Sequence, residues 1–269
     1  MGINEPFPQP PPVTHTDGSL PRAVEADAER IYGPDFLGKI AIANMQELCR
    51  AVGIDVVFET NGIDLPLSRQ RLEEIKSQRA EERAEDRRRI SMRPKSMLIT
   101  GTDGVPTREA VNIVNLLRLF SGKKNPFGHG PLFDTKTWGN DLCKGAQFMT
   151  ESLPPGYVAT IKRLMYLGEN YTHVDNNLRN DPDKPTAFRV PSMIEMVWDE
   201  LLARSAGIET PGQGSEQFFL WSSSRTRLPR SEVVFTLLDK SPEGLHIRGA
   251  AADHVNKNLA VQCIRDLKS

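Results

Sequence analysis

"RLEEIKSQRAEERAEDRRRISMRPK", Arg71 to Lys95, decides the fold class of this chain. Leu72 and Ile75 can pack on a neighbour, but no large apolar residue stands between Lys76 and Arg89. Three or four heptads with apolar a and d positions would make a coiled coil, and they are absent. A helix polar on every side bridges solvent or leans on something else. The stretch therefore predicts a charged connecting helix. Its end is lopsided: Arg87, Arg88, Arg89, Arg93 and Lys95 are cations with no acid among them. Cations complement the carbonyl end of a helix dipole. Five exceed what a cap requires, so a phosphate-contacting patch is the functional reading.

Outward from this stretch the signals are mostly helical. Apolar residues recur at spacings of three and four between Arg22 and Ala51, with a break at Gly33-Pro34 and a stop at Gly53. "IDVVFET", 54–60, reads as one short strand before the Asn61-Gly62 turn. Leu65-Pro66-Leu67-Ser68 opens the charged helix. Beyond it, Met97 to Thr100 reads as extended, Gly101 and Gly104 as a turn, and Pro106 as the first position of a helix. That helix, through Phe120, is expected to be the most buried. "LPPGYVATIKRLMYLGENY" predicts a helix over 156–169, and 173–191 a polar linker. Ser192 caps the next helix and Gly207 stops it. A last helix is expected over 251–268.

The expected fold is mainly α: an irregular multi-helix bundle with one or two minor short strand pairs. Five segments follow: a Pro-rich arm, 1–21; a helical segment, 22–62; the charged connecting helix, 63–95; a main helical domain, 96–206; and a C-terminal segment, 207–269, packed on it. The arm holds six of the twenty prolines and cannot bury enough surface to offset its ordering entropy.

Composition excludes some classes. The formal net charge of −1 gives no whole-chain field for nucleic acid or anionic lipid. Cys49, Cys143 and Cys263 are too far apart for zinc spacing and too few for a disulfide framework. Neither a leader nor an apolar run of about 20 residues is seen. An intracellular, cytoplasmic protein without membrane association is expected. No HExxH pattern places two of the five histidines for a metal, and "LITGTDGVPTREAV" lacks the lysine of a phosphate loop. No cofactor and no metal are expected.

Two local clusters remain. The loop 121–145 gathers Lys123, Lys124, His129, Asp134, Asp141, Cys143 and Lys144, the residue types of a thiol nucleophile with a base and an orienting carboxylate. "FFLWSSSRTRLPR" sets Phe219 and Trp221 beside Arg225, Arg227 and Arg230, materials for stacking bases and pairing phosphates; a buried strand with a basic loop is the plainer reading. The function expected from these features is a non-enzymatic assembly or interaction protein, a nucleoprotein-like or coat-like subunit. Its expected partners are further copies of itself and a single-stranded nucleic acid. A small enzyme using the 121–145 loop, or a protein-only adaptor, is the alternative.

Overall fold

The computed structural model describes residues 21–83, 87–101, 103–120, 125–128, 132–180, 188–208, 218–227, 233–241 and 244–267. Residues 1–20 of the arm, Lys123, Lys124, His129 and Arg230 lie outside them, and Pro21, the arm's last residue, opens a helix. Within the quoted stretch the helix α3 covers only Arg69–Glu81, capped by the Ser68 hydroxyl, which accepts from the Arg71 amide at 3.2 Å. Arg88–Arg93 then forms a strand, β3. "RISMR" alternates polar and apolar residues, and the strand period of two sends Arg89, Ser91 and Arg93 to one face and Ile90 and Met92 to the other. Both faces are buried.

β3 lies inside a four-stranded sheet. It pairs in parallel with β1, Phe36–Leu37, and antiparallel with β6, Gly156–Ile161. β11, Ile264–Leu267, pairs antiparallel with β6 and closes the order β1-β3-β6-β11. A second sheet has the order β10-β7-β8-β9, from Leu259–Ala260, Phe219–Arg227, Val233–Ser241 and Gly244–Ala250. A third, β2-β4-β5, comprises Val56–Phe58, Met97–Thr100 and Pro106–Glu109. Three sheets overturn the mainly α expectation; the fold is mixed α and β.

The corrections share a cause. "GYVATI" and "IRDL" were read as helix but lie on the same sheet as β3, where β-branched residues pack well on a pleated surface. Pro106 opens an outer strand, which needs no amide on its free side, and the turn before it uses Gly104 at φ +74°. The expected polar linker contains a helix, α6, Tyr171–Asn180. Tyr171 and Val174 anchor it against the second sheet, the tyrosine ring stacked on Phe235 at 3.8 Å.

The most buried helix is α7, Met193–Ser205, rather than α4, Ile113–Phe120, whose Val114 stays 43% exposed. α7 lies between the first two sheets and beside α2, Lys39–Ala51. It is therefore enclosed on nearly every side, with Glu195 and Glu200 buried among its apolar residues. Trp198 is fully buried, donates its indole N–H to the Met92 carbonyl at 2.9 Å and meets Phe58 edge-on at 5.0 Å. Gly207, at φ +66°, ends the helix as expected. α1, Pro21–Tyr32, stops at Gly33-Pro34, where a 3-10 turn supplies the buried Asp35. A large apolar core runs from Val24 to Ala260, and a second cluster, from Tyr171 to Cys263, packs α6 on the second sheet. Among the described residues no helix is long and apolar enough to cross a membrane.

Candidate anion-binding cleft

The first sheet has two polar features, one on each face. Toward α7 lies a closed ionic network. Arg93, 0% exposed, is ion-paired with Glu195, and its guanidinium stands 3.9 Å from Asp199 and from Asp266. Glu195 also accepts two bonds from Arg189, at 2.6 and 2.7 Å, and the Ser192 amide at 2.7 Å. Burial pushes its carboxyl up, but the Arg189 bonds and the Arg93 charge outweigh this and hold it at about 2. Asp199 accepts from the hydroxyls of Ser91 and Thr160, at 2.9 and 3.2 Å, yet burial raises its pKa. Arg93 and Glu195 are enclosed at the centre of this network, and Arg189 and Asp266 form its exposed edge.

The opposite face holds a small cavity beneath α3. α3 lies over it with Arg71, Ile75, Gln78, Arg79 and Glu82 directed inward, a spacing that keeps them on one side of a helix. Arg88 and Ile90 of β3, Ala159 of β6, and Arg265 and Leu267 of β11 form the floor of a cavity of about 70 Å³, with Tyr32 at its side. Register explains the floor: Ile90 pairs with Ala159 and Ala159 with Arg265, so all three point the same way.

The four arginines here differ in their partners. Arg79 is neutralised: it donates to Asp35 at 2.9 Å and to the carbonyls of Arg88 and Tyr32, with its guanidinium 4.6 Å from the centre of the Tyr32 ring. Asp35 is shared with Lys162 at 2.9 Å. Among the described residues Arg71 pairs with one carboxylate, the exposed Glu74, at 2.6 Å. Arg88 and Arg265 each sit 5.4 Å over the Phe188 ring, and neither pairs with a carboxylate among the described residues. Burial lowers the pKa of Arg265, and the charges of Arg88 and Arg71 lower it further. Crowded cations without a counter-ion gain from any anion that enters. Among the described residues Glu82 is the one acid lining the cavity.

The expected cation patch is therefore divided by the pleat. Arg88 reaches the cleft; Arg89 and Arg93, on the other face, are 2% and 0% exposed. Burial lowers the Arg89 pKa against the pull of Asp199, Asp35 and Glu200. Arg87 donates to the Arg79 carbonyl at 3.2 Å, and Lys95 is exposed beyond the end of the strand. In the second cluster Trp221 is fully buried, its indole bonded to the Glu169 carbonyl at 3.1 Å, where no base can stack on it. Phe219 lies under Arg248 at 4.9 Å, and Arg225 lies over Phe235 at 4.9 Å. Arg227 ends β7. The described residues assemble no groove for single-stranded RNA, and neither they nor the comparisons support RNA binding or self-assembly.

The thiol site takes the opposite form from what nucleophilic chemistry needs. Cys143 is buried beside the Thr137 carbonyl, and burial pushes its thiol up to about 11. Cys49 is pushed to about 12 in the same way, and Cys263 is also buried. Asp134 instead pairs with His246 at 3.1 Å, joining this segment to β9. No group of three His, Cys, Asp or Glu side chains suits a metal among the described residues.

Sequence reasoning missed Arg71 and Arg265. The i, i+4, i+7, i+8 spacing from Arg71 through Ile75, Gln78 and Arg79 was a usable signal for the first. For Arg265 the reading of its segment as helix removed any. No protein-family model matches the chain, and neither a curated protein nor a solved structure matches it.

Proposed function

We propose that the protein is a non-enzymatic binding protein whose working site is the cleft between α3 and the first sheet, and whose ligand carries an oxyanion. One observation carries this reading: Arg88 and Arg265 face a cavity, beside Arg71, with no carboxylate partner among the described residues. Guanidinium forks match phosphate and carboxylate in a bidentate geometry, and Phe188 holds two of them in place. The phosphate-contact role expected of the Arg87–Lys95 cations is kept here for Arg88 alone.

Calorimetric titration with inorganic phosphate tests the reading. Wild type should bind, less tightly as ionic strength rises. Arg265→Gln should weaken binding about tenfold or more, the loss expected for a hydrogen bond to a charged group. Equal affinity in both proteins, or no binding by wild type, overturns it.

A further inference from the structure

A second hollow adjoins the cleft along the same face of the sheet. It is open, about 580 Å³, and its walls include Asp64, Pro66, Lys95, Gly156, Tyr157 and Leu267. Leu267 is common to both cavities, and the consecutive residues Pro66 and Leu67 line one each. Tyr157 and Leu267 pair across the strands, as do Ala159 and Arg265. The two cavities are thus displaced by two residues of strand, roughly 7 Å.

Their chemistry differs. Beside the arginines the charge is positive. Among the described residues the second hollow is lined by one cation, Lys95, and one acid, Asp64, and the Tyr157 hydroxyl donates to Glu25. Its lining is mixed, with Ile63, Pro66, Pro155 and Leu267 beside the two charged residues.

We propose that the ligand is a small phosphomonoester, with its phosphate among Arg71, Arg88 and Arg265 and a short uncharged body crossing Leu267 into the second hollow. This rests on the anion-binding reading above and adds the shape of the ligand. A bare phosphate fills the 70 Å³ cavity and leaves the hollow to water. An ester body of three or four carbons spans the offset and removes apolar surface from water on both sides.

The test compares inorganic phosphate with n-butyl phosphate on the full chain. Butyl phosphate should bind about tenfold tighter, equivalent to burying roughly two methylene groups. Leu267→Ser should shrink that ratio, read within one variant so that any general loss of affinity cancels. Wild type alone decides if the variant fails to fold. Phosphate binding with no gain from the butyl chain overturns the ester proposal and leaves the anion site standing. Binding of neither compound overturns both.

Discussion

Arg88 and Arg93 belong to one short strand and meet opposite surroundings, because an even separation keeps residues on one face and an odd one divides them. Arg93 is enclosed with Glu195, a carboxylate that also takes Arg189 and the Ser192 amide. Breaking such a pair leaves a charge buried without its partner, so Glu195→Gln should cost about 3–5 kcal/mol. The pH dependence follows from the same contacts. The folded pKa, about 2, lies below the ordinary carboxylate value of 4.5. Its stabilisation is therefore complete above the ordinary value and is lost as pH falls through the interval down to about 2. Urea midpoints of wild type should fall steeply over that interval, and those of Glu195→Gln should start lower and fall less. Parallel curves would show that Glu195 is not the group responsible. The run of cations is plain in the sequence. The sequence did not reveal which were buried, since Glu195, the nearest carboxylate to Arg93, is 102 residues away.

At the scale of elements, α3 poses the question its sequence raised: what holds a helix polar on nearly every side. Leu72, 1% exposed, supplies one anchor. Arg79 supplies the other, through Asp35, two carbonyls and the Tyr32 ring. Arg79→Ala should therefore loosen α3 locally. Amide exchange over 69–81 should accelerate roughly a hundredfold, the equivalent of about 3 kcal/mol, while β3 remains protected. Unchanged exchange would assign the helix to Leu72 and Ile75 alone. Elements with local stop signals were legible: the break after α1, the Ser68 and Ser192 caps, and the end of α7. β6 and β11 were not. Their residues become strand through pairing with β3, and β3 itself was hidden inside a run of charge. The cleft shared that fate, because two of its walls are those strands.

For the whole molecule, two apolar clusters bear on cooperativity: the larger runs from Val24 to Ala260, and the smaller holds Trp221 and Cys263. All three tryptophans are buried, at 4% exposure or less, as are all three cysteines. Tryptophan emission and thiol labelling should then change together in one denaturant transition, with slow labelling below it. Two separated midpoints would show that the segments on either side of residues 95 or 207 melt independently.

The amino-acid sequence by itself determined the ends of several helices, because a cap or a positive-φ glycine acts within one turn of chain. It also determined the alternation of "RISMR", which any sheet would read in the same way. Only the tertiary structure decided that this alternation was used, and which arginines are sealed and which open to the cleft. A polar strand face is as stable against water as against carboxylates until the carboxylates of α7 are brought to it.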